Sequence, residues 1–170
     1  MEPLITLIVV TLAILALGAA GVKRLSAWPV ALRGGVAAMF VLTGTVHFIG
    51  MREELINMVP PIMPYPGFIV TLTGVLELAG AIGLLWRPTV IWAAGGLSLL
   101  LICMFPANVY YALSGMATDA HQALLPRTLM QIVFLSATLA IMVFYFRHRS
   151  VRRTQKGIRE VIVLQKHDNK

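Results

Sequence analysis

Five side chains stand out for chemistry because each interrupts or closes a long apolar run: His47, Glu77, Asn108, Arg127 and Gln131. An ionisable group within a lipid-spanning helix is costly, so it turns toward the protein interior and takes a partner there. Glu77 stands ten residues into its run, roughly 15 Å along a helix that rises 1.5 Å per residue. Thr73 lies four residues before it and Gly80 three after, so the three share a helix face, and glycine there lets another helix come close. Arg127 and Gln131 are four apart and also share a face, His47 follows Thr43 by four, and Asn108 comes just after Pro106. A proline inside a helix leaves carbonyls without their usual amide partners. A carboxylic acid beside a histidine is a proton-transfer pair. Glu77 and Arg127 could equally form an ion pair that holds two helices in register, and both readings stand at this level.

Such groups need apolar helices to carry them. Of the 170 residues, 58% are hydrophobic and 12% charged, with a mean hydropathy of +0.83. A soluble domain is about half apolar and about a quarter charged, and it needs that charge to solvate its surface. Five segments approach the ~20 apolar residues that a span requires: residues 4–22, 28–50, 67–86, 89–113 and 124–146. The predicted fold is therefore all-α, a polytopic membrane helix bundle. Residues 1–26 hold the first span and its loop, 27–146 a helical membrane domain, and 147–170 a basic tail.

Lysine and arginine collect on the cytoplasmic side of membrane spans. Residues 147–170 carry eight of them against Glu160 and Asp168, which is +6 of the chain's formal +7. With that tail in the cytoplasm and five crossings, the N-terminus lies outside. Lys23, Arg24 and Arg87 then fall on inner loops, while the outer loops 51–66 and 114–123 carry Arg52 alone. The tail reads as an anchor that attracts anionic lipid headgroups, not as a nucleic-acid site. Its short apolar run 161–164 suits the inner membrane surface. The N-terminal Met-Glu-Pro lacks the positive charge of a signal peptide, so the first segment reads as a span.

Because the spans alternate in direction, all five polar groups fall in the outer halves of their helices. That predicts a polar pocket open toward the outer face, beneath the loop 51–66. Four prolines between Met58 and Pro66 exclude a regular helix from that stretch and make it a stiff cap. Cys103, the single cysteine, rules out an intramolecular disulfide and reads as a small buried apolar residue. Met51, Met58 and Met63 lie on the outer side. They lack Met-x-x-Met or His-rich spacing, so no metal site is expected and they read as packing.

Thr43-Gly-Thr-Val-His47-Phe48, Met58-Val-Pro-Pro with Pro64-Tyr-Pro66, and Thr73-Gly74-x-x-Glu77-x-x-Gly80-Ala81-x-Gly83-Leu84-Leu85 together resemble the DoxX-like membrane proteins. Pro106-Ala-Asn108-Val-Tyr110-Tyr-Ala-Leu113 and Arg127-x-x-x-Gln131 extend the match. The resemblance covers about residues 32–146 and implies a four-helix core in a bacterial cytoplasmic membrane, here with one extra N-terminal helix and a long basic tail. The family takes its name from the small subunit of a thiosulfate:quinone oxidoreductase, and other relatives belong to oxidative-stress complexes. It implies a site made of His47, Glu77, Asn108, Arg127 and Gln131; the expected roles are catalytic for Glu77 and His47 and substrate-binding for Asn108, Arg127 and Gln131, with Tyr110 added to the binding set.

Two classes of function compete. One is a subunit of a redox system that binds a quinone-like lipophile, with no covalently bound cofactor and electrons supplied by a redox partner protein. The other is a non-catalytic lipophile-binding or assembly protein. Solute or proton transport is a third reading, opposed by the apolar inner halves of the spans.

Overall fold

The computed structural model describes residues 1–115 and 123–168, and the side chains of all of these except 152–154 and 156–168. The described residues form six helices: α1 (Glu2–Ala19), α2 (Trp28–Val46), α3 (Arg52–Met58), α4 (Pro66–Leu85), α5 (Val90–Leu113) and α6 (Leu124–Asp168). Five of them, all but α3, are long and apolar enough to cross a membrane. The chain is a multi-pass membrane protein. Hydrocarbon offers no partner for backbone N–H or C=O groups, and a helix satisfies them within its own segment.

Prolines mark where helices start. Pro3, Pro29 and Pro66 occupy the first positions of α1, α2 and α4, where the missing N–H had no intrahelical partner in any case. The tight turn 86–89 between α4 and α5 is closed by Thr89, whose Oγ1 donates to Gly83 O at 2.7 Å and Trp86 O at 3.0 Å. Those bonds occupy carbonyls that the end of α4 leaves open.

Helix α2 packs on α4, α4 on α5, α5 on α6, and α6 touches α2, while α1 lies on α2. Phe40, Leu84, Val90, Leu97 and Ile141 are almost wholly buried between them. Ser98 Oγ donates to Ala94 O and to Thr138 Oγ1, both at 2.8 Å, so these two buried hydroxyls are satisfied within the bundle. Large apolar side chains face outward along every long helix, among them Val9, Ile82, Trp92, Leu99 and Leu129. They suit a hydrocarbon solvent.

Helix α5 runs unbroken through Pro106 to Leu113, the full length of the expected fourth span, but other expectations do not hold. Helix α6 does not end near residue 146 but continues to Asp168, because the arginines, lysines and glutamines that follow are good helix formers. The side chains of the apolar run 161–164 and the loop residues 116–122 lie outside the described set. Cys103 is exposed on the bundle surface, not buried. The residues 52–58, expected as part of a cap, form the short helix α3. Beyond it the proline-rich stretch is irregular until Pro66 starts α4.

Candidate functional site

A cavity of about 380 Å³ opens at the end of the bundle where α2 and α5 finish and α4 and α6 begin, beside α3. Its lining includes His47, Glu77, Asn108, Arg127 and Gln131 together. Tyr110 is not among the lining residues. It comes two residues after Asn108, which is about 200° around a helix.

Two glycines bring α2 and α4 close enough to build one wall. A Cβ on Gly74 would stand 2.6 Å from His47 Cβ, and one on Gly44 would stand 3.2 Å from Glu77 Cβ. The glycine that the sequence pointed to, Gly80, serves another contact: a Cβ there would stand 2.6 Å from Leu97 Cγ of α5. Thr73 bonds back to Ile69 O and Val70 O. The face shared by Thr73, Glu77 and Gly80 is therefore divided among different neighbours.

Glu77 is 3% exposed, and Thr43 Oγ1 donates to its Oε2 at 2.6 Å. His47, also 3% exposed, has Nδ1 at 2.8 Å from Thr43 O. A carbonyl only accepts, so Nδ1 carries a proton and the neutral ring keeps its lone pair on Nε2. Thr43 thus positions both groups, one through its hydroxyl and the other through its carbonyl.

The opposite wall comes from α5 and α6. Arg127 Nη1 donates to Asn108 Oδ1 at 3.1 Å, which leaves the Asn108 amide nitrogen as a donor. The Arg127 guanidinium also lies 4.4 Å from the centre of the Tyr111 ring, a cation–π contact worth up to about 2 kcal/mol when desolvated. Gln131 Nε2 donates to Leu101 O, one residue before Ile102, whose carbonyl Pro106 leaves without its helical donor. Among the described residues Glu77 and Arg127 form no ion pair, since Thr43 holds the carboxyl and Asn108 takes the guanidinium. The register-holding pair is replaced by two separate polar clusters.

The roof is latched by a residue that the sequence marked only as a loop charge. Arg52 donates from Nη1 to His47 O at 3.1 Å, and from Nη2 to Gly67 O at 3.3 Å and Thr71 Oγ1 at 2.9 Å. It ties the end of α2 to the start of α4, and a cation at a helix C-terminus also suits the macrodipole. Tyr65, between Pro64 and Pro66, takes a left-handed conformation at φ 56° as the N-cap of α4.

Helical spacing could have found more of the lining. Leu101, Met104, Asn108 and Tyr111 recur at steps of three and four on α5, as do Arg127, Met130, Gln131 and Phe134 on α6. All but Tyr111 line the cavity. Met39, Met51, Met58, Met104 and Met130 give the wall a soft thioether surface that adapts its shape to what it meets.

A bundle of membrane-crossing helices that encloses a small cavity, apolar for the most part with a few convergent polar groups, has the form of a small-molecule site in a membrane protein. The chain belongs to the family described as a domain of unknown function, DUF8561, whose model matches residues 36–144. That stretch contains every polar residue of the cavity named above. No curated protein and no solved structure matches the chain.

Proposed function

We propose that the cavity binds a quinone-like lipophile and that the protein is the membrane subunit of a redox system, of the DoxX-like kind its motifs resemble. The observation that carries this reading is the meeting of two unlike polar walls across one apolar cavity: His47 and Glu77 on α2 and α4, Asn108 and Arg127 on α5 and α6. A quinone carbonyl accepts hydrogen bonds, which Arg127 and the Asn108 amide nitrogen would donate. His47 Nε2 would accept one from a ligand hydroxyl, and Glu77 would hold or release a proton at its carboxyl. The bound lipophile supplies the electron chemistry, and a redox partner protein supplies the electrons. The volume of about 380 Å³ lies within the range of small-molecule sites.

In this reading α2, α4, α5 and α6 are a four-helix core and α1 is an added helix. The ring of contacts among those four, and a family match that begins at residue 36, support that division. The protein would sit in a bacterial inner membrane with its basic tail in the cytoplasm and α3 outside, as the distribution of Lys and Arg favours.

The methionine wall favours a second reading, a non-catalytic lipophile binder, since thioethers accommodate many shapes. Mass spectrometry of lipid-soluble molecules that co-purify with wild type and with Glu77→Gln tests ligand binding. A quinone retained by wild type and reduced in the variant is the expected result. Another single lipophile would favour the second reading, and nothing specific in either protein would defeat both.

A further inference from the structure

A second hollow lies at the other end of the bundle, in the surface between α5 and α6, with a volume of about 910 Å³. Its composition is graded along its length. Gly95 and Gly96 leave its floor open, Met142, Val143 and Phe146 form the wall, and Arg147 and Arg149 stand at the end. The floor is open because the glycines carry no side chain. A Cβ on Gly96 would meet nothing within 4 Å, and one on Gly95 would reach Met142 Sδ at 3.3 Å. From residue 142 to residue 149 α6 rises about 10 Å, so the lining runs from apolar at Met142 to cationic at Arg149, with Phe146 and Arg147 meeting at the boundary.

We propose that this groove is a binding site for one anionic phospholipid, its acyl chain lying over Gly95 and Gly96 and its phosphate against Arg147 and Arg149. Charge complementarity selects the occupant. An apolar trough embedded in hydrocarbon has no preference among acyl chains, but two guanidinium groups at its mouth match a phosphate through charge-assisted, bidentate hydrogen bonds. Trp92 lines the groove at the same end, at the start of α5, where an indole suits the interface between headgroups and hydrocarbon. This site is discrete and on the bundle itself. Arg147 and Arg149 are the first two cations of the basic tail, and the apolar groove beside them turns its diffuse attraction into a discrete site; the site does not depend on what the first cavity binds.

The test uses the full chain in detergent, titrated with phosphatidylglycerol or with phosphatidylcholine and read by native mass spectrometry. Wild type should bind one phosphatidylglycerol about tenfold more tightly than phosphatidylcholine, a difference of about 1.4 kcal/mol. Arg147→Gln/Arg149→Gln should erase that preference. Gly96→Leu adds a side chain at a position where a Cβ meets nothing within 4 Å, and should weaken the first phosphatidylglycerol by a similar factor. Equal binding of the two lipids by wild type, or a Gly96→Leu chain that binds as well as wild type, overturns the proposal. So does a wild-type dimer that Gly96→Leu converts to monomer, which would make a second copy the occupant. If Gly96→Leu fails to fold, bromine-labelled phosphatidylglycerol decides in a Trp28→Phe/Trp86→Phe background. Quenching of Trp92 that saturates at one lipid per chain supports the site, and quenching equal to that by bromine-labelled phosphatidylcholine overturns it.

Discussion

Thr43 Oγ1 stands 2.6 Å from Glu77 Oε2, so a hydroxyl near the end of α2 satisfies the buried carboxyl of α4. Replacing Thr43 with valine keeps the shape and removes the donor. A buried polar group left without its partner costs about 1–3 kcal/mol. Thr43→Val should therefore lower the thermal midpoint in detergent, and Thr43→Ser should recover most of the loss. Equal midpoints for all three proteins would remove Thr43 from its positioning role.

Gly74 and Gly96 make a contrasting pair. A Cβ on Gly74 would stand 2.6 Å from His47 Cβ, while one on Gly96 would meet nothing within 4 Å. Gly74→Ala should cost about 1–3 kcal/mol through overpacking and displace His47 from the cavity wall. Gly96→Ala should be neutral or slightly stabilising, as alanine is the better helix former by up to about 1 kcal/mol. Thermal unfolding of the two variants side by side checks both. If Gly74→Ala is as stable as wild type, the α2–α4 contact is looser than described.

Arg52 reaches three acceptors on α2 and α4. Its removal in Arg52→Ala should free α3 while leaving the helix core intact. Hydrogen–deuterium exchange is the direct readout: amides of residues 51–67 should exchange at least about tenfold faster, corresponding to about 1.4 kcal/mol of local opening. Lysine has a single charged point in place of a planar fork, so Arg52→Lys should restore only part of the protection. Unchanged exchange in Arg52→Ala would mean that α3 is held by its apolar contacts.

The Tyr111 ring lies under the Arg127 guanidinium at 4.4 Å. Tyr111→Leu removes the π face and should cost about 1–2 kcal/mol, whereas Tyr111→Phe keeps it and should cost less. Chemical unfolding of both variants in mixed micelles gives the comparison. A leucine variant no less stable than the phenylalanine one would show that Arg127 is held by hydrogen bonds alone.

The five long helices were legible because apolar runs of span length, separated by Lys, Arg and Pro, permit little else in hydrocarbon. The convergence of His47, Glu77, Asn108, Arg127 and Gln131 was legible for a related reason. Alternating helix directions place all of them at one end, and the cost of polarity in lipid turns them inward. What the one-dimensional pattern left undecided was pairing. Glu77 and Arg127 are the obvious ion pair by charge, yet Thr43 and Asn108 take them instead. Helix rotation and close approach at Gly74 decide that outcome, and neither follows from depth alone. The same holds for Tyr111 over Tyr110, for Arg52 as a latch, and for the groove over Gly95 and Gly96. Sequence determined which helices exist and which ends carry polarity, because those depend on local hydropathy and backbone satisfaction. Tertiary structure decided which side chains touch, because angstrom-scale contacts depend on how whole helices cross.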